Sequence, residues 1–200
     1  MPSDTPFQKT SFLTLKRVQH LGANFIVSGI SPDLGLLSFY VRQQTRANKS
    51  AFGSFDLFRL LDIVFRRSSG DLCYCQEAVT VADYSPLTQN YDNFQTACYL
   101  AEFATSHILP ESPHPRTFRA ACVALHRLAA QQQTPPAVLT GFGLTFLSEA
   151  GWLNQSKLSA RDAAQCQILL EMASGGDMPA LTDANWQNLW AWTKQQLDAC

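Results

Sequence analysis

The sequence predicts an α+β fold, a small N-terminal β-barrel followed by an all-α helical domain. Three observations carry that prediction. Apolar and polar residues alternate with period two in short segments between residues 11 and 81, each bounded by a turn signal. The period changes at Ser85-Pro86, and beyond it Pro and Gly punctuate segments of helical length whose apolar residues recur at three and four. Two hundred residues, 46% of them hydrophobic and 16% charged, suffice for a globular chain with one large domain or two small ones.

Met1–Thr10 is a loose, polar lead-in. In the first strand, Ser11–Gln19, Leu13, Leu15 and the stem of Arg17 alternate with Thr14 and Lys16. After the turn His20-Leu-Gly22, the β-branched and aromatic run Asn24–Ile30 forms a second strand, with Gly29 at a bulge or a point of close approach. Pro32, Asp33 and Gly35 reverse the chain into Leu36–Arg42, which places Leu37, Phe39 and Val41 on one face and Ser38, Tyr40 and Arg42 on the other. Gln43–Ser54 is a polar loop. Phe55–Arg67 fits both periods, but its Phe, Ile and Val content and the turn Ser68–Asp71 favour a strand. Leu72–Val81 is the fifth, with Cys73 and Cys75 on one face. Five short strands within about 70 residues match the needs of a small barrel such as the OB-fold, with half of a β-sandwich as the competing architecture. The expected domains are 1–83, the barrel, and 84–200, the helices.

Five helices are expected in the second domain. They are Tyr91–Ile108, stopped by Pro110; Pro115–Gln132; Pro135–Ala150, ended by Gly151; a segment capped by Ser159 and Asp162 that runs to Gly175-Gly176; and a last one capped by Thr182 or Asp183 that carries Trp186, Leu189, Trp190 and Leu197.

Net charge is −1, which conceals an asymmetry. Residues 1–70 hold nine Lys and Arg against four acids, and the remainder six against twelve. A basic first module suits a polyanion. Met1–Thr10 lacks the apolar core of a secretion signal and no apolar run reaches the roughly 20 residues of a membrane span, so a cytoplasmic protein with reduced thiols is expected.

Motifs for catalysis are absent: there is no Gly-x-Ser-x-Gly elbow, no phosphate loop and no His-Glu-x-x-His. The four histidines stand singly, and Cys73-x-Cys75 is at most half a metal site, so neither an enzyme nor a bound metal or cofactor is expected. The basic turn Val41–Ser50 offers different chemistry. Arg42, Arg46 and Lys49, with Lys16 and Arg17, can converge on one barrel edge and contact phosphates, while Tyr40 or Phe52 stacks bases. A solvated cationic loop is the blander reading. In the helical half, Arg116, Arg119 and Arg127 beside Phe118 suit an amphipathic or acidic peptide, against the ordinary reading of a solvated helix face.

The succession of Leu13–Arg17, Pro32–Gly35, Lys49-Ser50 and the Phe55 strand resembles the N-terminal OB-fold of the RecO family of recombination mediators. Tyr99–Glu102, Phe118 with Leu125–Leu128, and Phe142–Leu147 with Gly151 continue the likeness to about residue 155. The resemblance implies a non-enzymatic mediator that binds single- and double-stranded DNA, pairs with RecR, remodels single-strand-binding protein, and assists annealing and recombinase loading. The four-cysteine zinc element of many members is replaced by Asn154–Ser159, so no zinc is implied. Arginines that some members use to hold the acidic tail of single-strand-binding protein correspond to Thr140 and Gly141, which leaves tail binding there open. An adaptor whose barrel binds protein instead of DNA is the alternative function.

Overall fold

The computed structural model describes residues 6–42, 55–68, 71–153 and 159–199. Its five strands are β1 (Gln8–His20), β2 (Asn24–Ser31), β3 (Gly35–Val41), β4 (Arg59–Arg67) and β5 (Leu72–Asp83). They close into a barrel in the order β1-β2-β3-β5-β4. A 3-10 turn at Ser85–Gln89 leads to α1 (Tyr91–His107), α2 (Pro115–Ala129), α3 (Pro135–Glu149), α4 (Ala160–Ala173) and α5 (Asp183–Asp198). The architecture is α+β, a closed five-stranded OB-like barrel followed by five helices.

Closure depends on β1, which pairs antiparallel with β4 through its first half and with β2 through its second. The two halves cannot share one phase. Against β4, Thr10 and Phe12 lie opposite the buried Ile63 and Leu61. Against β2, Arg17 lies opposite the buried Val27. A bulge between Thr14 and Lys16 inserts the extra residue that switches the inward-facing set from even to odd numbers. A uniform alternation of Leu13 and Leu15 with Thr14 and Lys16 therefore fails at Thr14, since Phe12, Leu13, Thr14 and Leu15 are all buried. Thr14 is satisfied there. Its hydroxyl donates to the Asp56 carbonyl and accepts the Arg59 amide at 2.8 Å, while its own carbonyl receives the Phe58 amide at 3.0 Å.

β4 begins at Arg59, so Phe55 and Phe58 precede the strand and do not belong to it. Both are nonetheless buried, and Phe58 turns the chain with φ of 57°. The barrel core is aromatic: the Phe39 ring lies 5.0 Å from Phe12 and 5.5 Å from each of Phe55 and Phe65.

Packing groups the chain into two units, residues up to Ser85 with 101–114, and 86–100 with 115–200. Segment 101–114 joins the barrel through backbone bonds, with Leu36 donating to Leu109, Glu111 to Leu34 and His114 to Pro32. Gly35 permits this approach. It has φ of +64°, and a Cβ there would stand 2.2 Å from the Leu109 carbonyl oxygen.

The second unit is organised on α3, whose residues Ala137–Leu147 are all buried. Thr140 and Thr145 can be enclosed because each hydroxyl bonds back to a carbonyl four residues earlier, Pro136 at 2.7 Å and Gly141 at 2.8 Å. Gly141 lets Met172 and Ala173 of α4 come close, and Gly143 does the same for Thr193 and Leu197 of α5. The Ser159 and Thr182 side chains cap α4 and α5 by accepting the amides of Asp162 and Asn185, which decides between the Thr182 and Asp183 that the sequence offers for the last helix.

Gly29 pairs with Thr14 beside the bulge, where a Cβ would meet the Leu13 oxygen at 2.0 Å and the Phe12 ring at 2.8 Å. Gly29→Ala is expected to cost about 1–3 kcal/mol, as overpacking does, and to lower the midpoint of thermal unfolding.

Candidate nucleic-acid interface

After the bulge, alternate residues of β1 face outward beside alternate residues of β2 and β3. Lys16 pairs with Ser28, and Ser28 with Ser38, whose hydroxyls are 2.8 Å apart. One step along the strands, Val18 pairs with Ile26 and Ile26 with Tyr40. A further step brings His20 opposite Asn24, and Arg42 follows the last paired residue of β3. The result is an apolar and aromatic row with a cation at either end. Tyr40 is its aromatic centre: the His20 ring meets it edge-on at 6.0 Å, and the Arg42 guanidinium lies 5.6 Å from its centroid. Lys16 and Arg42 are exposed, and Val18 is 48% exposed. None of the described residues in these rows is acidic.

The barrel's other outer surface is different. Across β1, β4 and β5 a shallow groove of about 390 Å³ is lined by Lys9, Ser11, Asp62, Val64, Glu77 and Val79 among others. Two carboxylates face one amine there, and the Ser11 hydroxyl is already spent on Asp62 at 2.8 Å. Beyond the groove on the same outward face of β4, exposed Arg66 lies 6.0 Å from the Tyr74 ring centroid, so cations and carboxylates are mixed on this side.

Lys16, Tyr40 and Arg42 are therefore brought together, whereas Arg17 lies on the opposite side of β1. Its guanidinium sits 3.9 Å over the Phe25 ring and 3.2 Å from the Asp56 carboxylate. Neighbouring residues of a strand point to opposite faces, so Lys16 and Arg17 cannot serve one surface. Arg46, Lys49 and Phe52 lie outside the described residues. Val18, His20 and Ile26 were missed by the sequence reading. The missing step was to carry the polar face of β3 across the sheet through its register.

In the helical unit, Arg116 and Arg119 are exposed and Phe118 is half-buried on α2. Arg127 does not belong with them as a docking cation. Its guanidinium donates to the Met172 carbonyl at 2.9 Å and the Gly176 carbonyl at 2.6 Å, closing the C-terminal end of α4. Burial pulls its pKa down, an effect the nearby Asp177 carboxylate opposes. At the start of α2, the Glu149 carboxylate accepts the Arg116 amide at 2.9 Å and the Thr117 amide at 2.8 Å. The protein's own anion thus occupies the helix end that an acidic peptide would use. Thr140 and Gly141 lie inside α3's packing, so neither offers a surface.

Burial raises the Cys73 thiol pKa, with Arg67 in partial opposition. It pushes Cys75 and Cys122 up to about 12. Such thiols stay protonated at neutral pH and make poor nucleophiles and metal ligands. Among the described residues, no three His, Cys, Asp or Glu side chains gather where a metal ion could sit. Nor is any helix among them long and apolar enough to cross a membrane.

Two predictions follow from these roles. Arg127→Met leaves two carbonyls without their donor and is expected to cost about 1–3 kcal/mol in urea unfolding, whereas exposed Arg119→Met stays within about 0.5 kcal/mol. The raised Cys122 pKa means that its stabilisation is complete below the ordinary thiol value of 9.0 and is lost as pH climbs toward 12. Stability measured from pH 8 to 11 should therefore fall less steeply in Cys122→Ala than in the parent chain.

No curated protein matches the chain. Residues 88–157 match the family described as Recombination protein O C terminal. They span α1, α2 and α3, and therefore include the buried helix on which the second unit is built. The C-terminal helical segment is thus similar to that family's C-terminal domain, and an OB-like barrel precedes it.

Proposed function

We propose that the chain is a non-enzymatic mediator of DNA repair and recombination in the cytoplasm. In this reading it binds single- and double-stranded DNA through the barrel and assists annealing and recombinase loading together with RecR and single-strand-binding protein. The observation that supports it best is the acid-free outer face of β1-β2-β3, where Tyr40 stands between His20 and Arg42 with Lys16 beyond the apolar row.

Each part of that face has a use. Lys16 and Arg42 supply the backbone contacts that need only charge, and they serve duplex and single strand alike. Tyr40, with the exposed Val18 and half-buried Ile26 beside it, offers a flat surface on which any unpaired base can stack. Base stacking is worth about 1–3 kcal/mol and carries little sequence preference, which suits a protein acting on DNA of arbitrary sequence. In this reading the face binds and does not react.

Fluorescence anisotropy of a labelled oligonucleotide, titrated at several salt concentrations, tests the proposal. Lys16→Ala with Arg42→Ala should weaken binding and reduce the salt slope by about one to two units, at about 0.7–0.9 per lost phosphate contact. Lys9→Ala, on the opposite outer surface, should leave it unchanged. Tyr40→Ala should weaken single-strand binding by about 1–3 kcal/mol, with a smaller effect on duplex. Capture of RecR without any oligonucleotide binding would instead favour a protein-binding barrel.

A further inference from the structure

On the outer face of β1-β2-β3, the row nearest the bulge differs from the aromatic row beside it. Lys16 of β1 lies opposite Ser28 of β2, and Ser28 lies opposite Ser38 of β3. The buried Val27 and Phe39 next to these serines mark the inward direction, so both hydroxyls face out with Lys16. Lys16 is exposed and both serines are half-buried. The two hydroxyl oxygens are 2.8 Å apart, and either can be the donor.

Two hydroxyls carry two protons, and their mutual bond uses one. The other is left for an acceptor from outside, since neither serine side chain has a further partner among the described residues. The Lys16 amine, which can only donate, has no ion-pair partner among them either. Residues opposite each other across an antiparallel pair stand about 4.5–5.5 Å apart at Cβ, so the amine reaches an anion seated on the serines. Ser38, Tyr40 and Arg42 then follow at two-residue intervals along β3 and just past it, about 7 Å apart. An oxyanion held at the Lys16 row thus has an aromatic ring one step away and a second cation two steps away. A phosphodiester that carries a base meets both. A lone carboxylate or free phosphate meets neither.

We propose that Lys16, Ser28 and Ser38 form a phosphate subsite that sets the register of a nucleic-acid strand on the barrel, seating one phosphodiester so that an adjoining base falls on Tyr40. The inference rests on the DNA-binding reading above and adds two neutral donors to it. Charge attracts a backbone from any direction, whereas a hydroxyl acts only within hydrogen-bond distance and angle. Phosphate contacts of that kind position a strand even though they carry no sequence information. The two groups therefore divide the work. Lys16 contributes to affinity and to its salt dependence, while the serine pair contributes to affinity alone, because a neutral donor displaces no counterion.

Binding of a labelled single-stranded oligonucleotide to the full chain, titrated at several salt concentrations, reads the two roles separately. Ser28→Ala with Ser38→Ala should weaken binding about threefold to tenfold and leave the salt slope as in the unmodified chain. Ser28→Thr with Ser38→Thr keeps both hydroxyls and should bind as the unmodified chain does. In a Lys16→Ala background the effect of the alanine pair should shrink, because contacts to one phosphate are coupled. Amide NMR signals of Ser28 and Ser38 in the unmodified chain should shift as oligonucleotide is added, while those of Asp62 and Val79 on the other outer surface stay in place. That measurement keeps the test decisive if the alanine variant fails to fold. Binding that needs Lys16 and Arg42 but ignores the serine changes would overturn the subsite alone. A salt slope that falls with the serines, or unmoved Ser28 and Ser38 signals, would do the same. Absence of any oligonucleotide binding by the unmodified chain would sink the DNA-binding reading, and the subsite with it.

Discussion

One strand must serve two neighbours, and the irregularity that lets it do so governs the barrel's surface. Without the bulge between Thr14 and Lys16, a β1 that buries Phe12 against β4 would also turn Lys16 inward against β2. The extra residue reverses the alternation, keeps Phe12 in the aromatic core and sends Lys16, Val18 and His20 to the outside. Thr14 makes the switch tolerable by satisfying its hydroxyl internally, and Gly29 makes it possible by having no Cβ. The chemistry of the outer face is a downstream consequence of that local geometry.

The distribution of charge follows the same division. Around the barrel, an acid-free outer surface holds Lys16 and Arg42 about an aromatic centre, while the other mixes Lys9 and Arg66 with Asp62 and Glu77. In the helical unit, an internal carboxylate caps α2 and an internal guanidinium closes α4. A net charge near zero thus conceals an uneven distribution of charge over the barrel.

Charged residues in the helical unit illustrate how a stripe misleads. Arg116, Arg119 and Arg127 recur at spacings that place them on roughly one side of α2, yet only the first two are exposed. The third is held by two carbonyl groups from 45 and 49 residues farther along the chain. Helical periodicity reports which side chains share a direction. It carries no information about a distant helix end that happens to need a donor.

The sequence by itself determined the element order, the change from period two to helical period at Ser85-Pro86, the cap at Ser159, the choice of Thr182 or Asp183 for the last helix, and the inward and outward sets of β3. These are local properties: alternation, capping oxygens and turn residues act within a few positions of themselves. It also picked out Lys16, Tyr40 and Arg42. Tertiary structure decided what joined them and what did not. It put Arg17 over the Phe25 ring beside Asp56, brought Val18, His20 and Ile26 alongside Tyr40, and drew 101–114 to the barrel. Each of those outcomes depends on strand register or on pairing between residues far apart in the chain. A one-residue bulge shifts register, and no local pattern specifies the partner across the sheet.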